Sequence, residues 1–195
     1  MTWREQIRPT LMILIVMTVM TGVVYPLLVT GIAQVCFHRQ ANGSLIYSTN
    51  GKIVGSTLIG QSFDDPKYFW GRLSATTPLY NASSSSGSNL GPSNPALLDN
   101  IKARIAALKA ADPANTGIIP VDLVTASASG LDPHLSIAGA HYQLSRVAWV
   151  RKLPEAFVQQ IIDQNTTGRF LGVIGEPVVN ILAVNLALDQ VKRNN

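Results

Sequence analysis

The sequence predicts an α+β domain carried on a single N-terminal transmembrane helix, and three observations predict it. No charged residue occurs from Pro9 to Phe37, and about 20 apolar residues are enough to cross a hydrocarbon core roughly 30 Å thick. Asn50–Gly51 interrupts the β-prone run LIYSTNGKIVGSTLIG. Helical periodicity then begins behind start signals at Asn94, Ser136 and Pro154. The boundaries read as an N-terminal flank at 1–8, a span at 9–37 and one α+β domain at 38–195, which suits a chain of 195 residues.

The span is helical because only a helix or a closed barrel satisfies its own backbone in lipid, and Pro26 predicts a kink. Arg4, Arg8 and the α-amino group precede it, whereas Arg39 is the cation that follows. The positive-inside rule therefore puts the N-terminus in the cytoplasm and the domain on the other side. A cleaved signal peptide is the competing reading, since Gly31, Ile32 and Ala33 offer small residues near a cleavage position, and a secreted binding module would follow from it. Signal h-regions run to only about 7–15 residues, shorter than this stretch. Ala33-Gln34-Val35 is a poor approach to a lipidated Cys36. Thr18 and Gly22 are one turn apart, a spacing that lets another helix pack closely.

After the span, Asn50–Gly51 predicts a hairpin because both residues tolerate positive φ. Asp64-Asp65-Pro66 opens a turn or short helix through KYFWGR, where Tyr68, Phe69 and Trp70 are core candidates. Asn94–Pro95 pairs a cap with proline at the first helical position, and Leu97, Leu98, Ile101, Ile105 and Leu108 keep helical spacing until Asp112–Pro113. A second helix follows Ser136 with Ile137, Ala140, His141, Leu144, Val147 and Ala148 on one face. A third follows Pro154 with Phe157 and Ile161 buried. VVNILAVNLALDQV begins with β-branched residues and ends in a helical pattern, a strand running into a helix.

Composition excludes several functions. The formal charge of +4 is scattered, with Arg151–Lys152 and Lys192–Arg193 as its basic pairs, so no nucleic-acid footprint emerges. One cysteine, Cys36, rules out an internal disulfide. His134 and His141 lie seven apart without H-E-x-x-H, and no metal site is expected. There is no P-loop, no G-x-S-x-G elbow and no S-x-x-K pair, so no catalytic residue is assigned. A membrane-anchored serine hydrolase drawing on Ser83–Ser86 stays as the alternative. GSNLGPSNP has the composition of a backbone nest for anions. The N-x-[ST] matches at Asn42, Asn81 and Asn165 matter only in a eukaryotic secretory protein. Asp122, Asp132 and Glu176 are the carboxylates that would present negative potential to a cation. On chemistry alone, such a domain acts on a partner.

Thr76–Pro95 contains the run NASSSSGSNLGPSN, which by composition is either a tether or an ordered loop. RLSATTPLYNASSSSGSNLGPSNP (72–95) resembles the signature of the C subunit of the bacterial Kdp potassium-transporting P-type ATPase. PVDLVTASASGLDPHLS, QLSRVAWVR and GEPVVNILAVNLALD resemble the later blocks of that family in the same order. Leu73 stands where the family often has proline. The resemblance implies a non-catalytic accessory subunit of a high-affinity potassium uptake complex in the bacterial inner membrane. Its partners would be a channel-like potassium-translocating subunit, a P-type ATPase subunit and a small single-helix subunit. ATP and potassium would belong to the complex rather than to this chain, which lacks a D-K-T-G phosphorylation motif and a TVGYG-like filter.

It also implies that Thr76, Thr77, Tyr80, Asn81, Ser85, Gly87, Ser88, Asn89, Gly91 and Pro92 form a structural or partner-binding signature. Gln143 would be linked to nucleotide affinity. From the residues themselves, Gly87 and Gly91 are expected to take conformations closed to other residues, while serine and asparagine satisfy the main chain locally.

Overall fold

The computed structural model describes residues 3–48 and 50–191, with the side chain of Arg4 left aside. The Lys192–Arg193 pair lies outside the described residues. Two units divide near residue 45.

The first unit is a continuous helix: α1 (Trp3–Val19), a π-helical turn (Met20–Val24) and α2 (Tyr25–Cys36). Its apolar part, Glu5–Cys36, is 32 residues long, about 48 Å at 1.5 Å per residue, more than a bilayer core requires. It begins well before Pro9, with that residue inside α1. Where the sequence predicts a kink at Pro26, the helix carries a π turn just before it. Proline lacks an amide hydrogen and its ring crowds the carbonyl four residues back, and the Tyr25 N–H here donates to Met20 O, five residues back. Thr10 and Thr21 hydroxyls donate to the carbonyls of Gln6 and Met17, so these polar side chains are satisfied within the helix. Phe37 breaks the helix at φ −135, ψ 41, and a short α3 (His38–Ala41) follows.

In the second unit, β1 (Leu45–Tyr47) and β2 (Ile53–Ser56) form the expected hairpin. Its turn differs from a two-residue Asn-Gly loop. Gly51 donates to Ser48 O, Lys52 O accepts from Ser48 N, and Gly51 takes a positive φ of 76°. That is a longer loop in which Gly51 supplies a left-handed residue. KYFWGR forms a turn and an extended strip with no helix, and Phe69 and Trp70 are buried as expected.

Helix α4 (Pro95–Ala111) starts where predicted, with Asn94 Oδ1 accepting from Ala96 N, and stops at Asp112. Leu108 is buried, but Leu98 is exposed. The Ser136 hydroxyl caps α5 (Ile137–Arg151) by accepting from Gly139 N. Ala140, Leu144, Val147 and Ala148 face the core as expected, whereas Ile137 and His141 face solvent. In α6 (Glu155–Gln164) Ile161 is buried with Val158 and Ile162, but Phe157 is on the outer side. These misplacements share a cause: a single apolar residue beside the stripe cannot be told from one inside it by periodicity.

The second sheet has the order β3 (His134–Ser136), β5 (Val178–Asn180), β4 (Thr166–Thr167), all antiparallel. Neither β3 nor β4 was expected. At two or three residues each, such strands carry almost no periodic signal. The central β5 runs directly into α7 (Ile181–Val191), as the change of pattern in this block predicts. Val179 and Leu135 on the sheet pack with Val147 of α5, Val158 and Ile162 of α6, Val184 and Leu188 of α7, and Phe69.

Candidate functional site

Two polar networks organise the domain, and both involve segments without regular structure. The first is the 65–72 strip. Its carbonyls from Pro66 to Arg72 each accept a side-chain donor from elsewhere in the fold. Arg146 reaches Pro66 and Tyr68, Arg151 reaches Lys67, Asn185 reaches Phe69, Gln143 reaches Trp70, Arg104 reaches Gly71, and the Tyr80 hydroxyl reaches Arg72. Two amides clamp the strip on both sides. Gln143 Oε1 accepts from Trp70 N at 2.9 Å while its Nε2 donates to Trp70 O at 3.0 Å. Asn185 does the same for Phe69, at 2.9 Å in both directions. Side chains of α4, α5 and α7 thus replace the neighbouring strand that would otherwise satisfy this backbone.

Two cations in this network, both arginines of α5, are buried. Arg146 keeps only 5% of its surface and Arg151 only 7%. Burial lowers the Arg146 pKa to about 10, still far above neutrality, so the guanidinium stays charged. It is held by two carbonyls, by Gln143 Oε1 at 2.8 Å and by the Trp70 ring at 5.0 Å. Arg104, whose pKa burial also lowers, lies 5.1 Å from the same ring. Arg151 pairs with Asp189 at 2.9 Å and stacks over Tyr68, whose hydroxyl donates to the other Asp189 oxygen. Burial, then the hydrogen bond to Asp189, raises the Tyr68 pKa.

The second network is the signature loop. Thr76 is buried, Tyr80, Asn81 and Gly87 are half-buried, and Thr77, Ser85, Ser88, Asn89, Gly91 and Pro92 are exposed. The structure brings Thr76, Tyr80 and Asn81 together around Ser74. Ser74 Oγ donates to Gly130 O and accepts from Tyr80 N, while Thr76 Oγ1 accepts from Asn81 N and donates to Pro78 O. The Thr77–Pro78 peptide is cis. Further along, Ser129 O receives both Ser86 N at 3.0 Å and the Ser85 hydroxyl at 2.9 Å. The 72–95 and 120–136 blocks are therefore one packed unit, joined also by Ser127 N to Leu73 O and by Arg72 to Asp132. Ser88, Asn89, Gly91 and Pro92 lie further along the loop, outside this knot.

The glycine roles differ from expectation. Neither Gly87 nor Gly91 has positive φ. That conformation falls on Tyr80 (57°) and Asn89 (52°). Gly87 is required by close approach, since a Cβ there would lie 2.7 Å from Ala128 O, whereas Gly91 has open space around it. Sequence reasoning missed the key glycine, Gly130, at φ 68°, where a Cβ would stand 2.6 Å from both Ser86 O and Thr76 Cγ2. It missed Ser74 as well. Both sit inside blocks that carry the resemblance, and their role shows only when the two blocks meet.

Three hydroxyls of the serine run serve the loop itself: Ser83 Oγ donates to Asn81 Oδ1, Ser85 Oγ to Ser129 O and Ser86 Oγ to Gly87 O; the hydrolase alternative finds no support. The three carboxylates also serve the fold: Asp122 accepts from Ser136 N, Asp132 pairs with Arg72, and Glu176 pairs with Arg169.

An apolar helix of spanning length and an α+β domain whose polar side chains are largely spent on its own backbone define the architecture of a membrane-associated protein. The family model described as K+-transporting ATPase, c chain, matches residues 7–190. A potassium-transporting ATPase KdpC subunit from Herpetosiphon aurantiacus is 62% identical, covering 97% of this chain and 98% of the relative. The KdpC subunit from Dechloromonas aromatica is 61% identical over 96% and 98%, and that from Ralstonia nicotianae 60% over 95% and 91%. The chain belongs to the KdpC family.

Proposed function

We propose that this chain is a non-catalytic accessory subunit of a high-affinity, ATP-driven potassium uptake complex of the bacterial inner membrane. The observation that carries the reading is the full-length family match. The structure supports it through what its polar groups do: serine hydroxyls, buried arginines and amides are committed to main-chain partners. The N-terminus is cytoplasmic and the domain periplasmic, as the placement of Arg4 and Arg8 before the span and of Arg39 after it favours. Partners are the channel-like potassium-translocating subunit, the P-type ATPase subunit and the small single-helix subunit. The exposed part of the signature, Thr77, Ser85, Ser88, Asn89, Gly91 and Pro92, faces one of them. Thr76, Tyr80, Asn81 and Gly87 hold that surface in shape.

In this reading Gln143 is a positioning residue. A periplasmic side chain cannot touch a cytoplasmic nucleotide, so an effect on ATP affinity or ion access runs through states shared across the complex. The anchor itself raises the local concentration of the domain at its partners. A tag placed after Asn195 tests the assembly: in mild detergent the tagged chain brings down the other three subunits in constant proportion. Purification of the chain alone, with the other three still associated, would overturn the reading.

A further inference from the structure

We propose that the tip of the hairpin joining β4 to β5, residues 170–174, is a lipid-docking element that enters the headgroup boundary of the bilayer. Phe170, Leu171, Val173 and Ile174 stand together there, 60–79% exposed, with no polar side chain among them and only Gly172 between. Contiguous apolar exposure of this kind marks a surface that is covered in use.

The occupant is argued from the backbone. Phe170 N donates to Ile174 O, Ile174 N and Val173 N to Phe170 O, and Gly172 N to Arg169 O. Most amide donors of the tip are therefore closed on the tip itself, which lipid demands of any backbone it receives and a protein partner does not. Gly172 (φ 77°) and Leu171 (φ 52°) supply the left-handed turn that makes this closure possible. At the base, Arg169 pairs with Glu176 at 2.8 Å on the solvent side, the level at which an arginine meets headgroups. The same chain carries an apolar helix long enough to span a bilayer, Glu5–Cys36, so the domain is tethered to a lipid surface.

The test uses the full-length chain with Cys36→Ser and a single new cysteine, Val173→Cys, labelled with an environment-sensitive fluorophore and reconstituted in phosphatidylethanolamine/phosphatidylglycerol vesicles. Ile118→Cys, 95% exposed in a different loop, is the control for the dye. Spin-labelled lipid is expected to quench the probe at 173 by about half, as for a side chain in the headgroup layer, and to leave the probe at 118 unchanged. Equal quenching by aqueous iodide at both positions, with none from spin-labelled lipid, would overturn the proposal. So would protection at 173 that arises only when the other subunits are added and still without lipid quenching, because that places a protein on the tip. Melting of both labelled chains at the unmodified temperature confirms that the domain is intact.

Discussion

Gln143→Leu lowers the stability of the full-length chain by about 4 kcal/mol. The substitution keeps the volume and removes both ends of an amide that is only 1% exposed. Trp70 N–H loses its acceptor, Trp70 C=O loses its donor, and Arg146 loses the Gln143 oxygen at 2.8 Å. Each buried polar group left unmet costs about 1–3 kcal/mol, against a total stability of roughly 5–15 kcal/mol. Gln143→Glu separates the parts: a carboxylate still accepts from Trp70 N–H and Arg146 but cannot donate to Trp70 O, so about half the loss is expected. Denaturant unfolding in detergent, read by tryptophan fluorescence, measures both. A Gln143→Leu chain within about 1 kcal/mol of the parent, combined with weaker ATP affinity of the assembled complex, would contradict the positioning role.

Gly130→Ala is the second large effect, about 3–4 kcal/mol. A non-glycine residue at φ 68° costs roughly 1–2 kcal/mol by itself, and the added Cβ would stand 2.6 Å from Ser86 O, a separation that forces the two blocks apart. The bonds lost are those that make the signature loop a structure: Ser86 N and Ser85 Oγ to Ser129 O, and Ser74 Oγ to Gly130 O. Amide exchange over residues 81–94 is expected to accelerate about 100-fold, most clearly at Ser84 and Ser86. Gly91→Ala, at an open position, stays within about 0.5 kcal/mol of the parent. Equal exchange in the parent and the Gly130→Ala chain would mean that 81–94 is a tether after all.

These two positions also show what the sequence made legible and what it did not. Caps are local, so the starts of α4 at Asn94 and α5 at Ser136 were readable from a few adjacent residues, as was the long apolar helix from its composition. The clamp on residues 65–72 was not, because its donors lie 8 to 116 positions away from their partners in chain and include arginines, which composition rules assign to the surface. Gly130 was equally opaque: its need for a missing Cβ arises from Ser86 and Thr76, more than 40 residues upstream. Family resemblance marked these blocks, but the physical role of each residue in them comes from the contacts between blocks.

Uptake of rubidium, as a tracer for potassium, at scarce external supply is the measurement that bears most directly on the proposed role. Cells that keep the other three subunits but lack this chain are predicted to lose that uptake, and to regain it when the full-length chain is returned. Undiminished uptake in its absence would contradict the account.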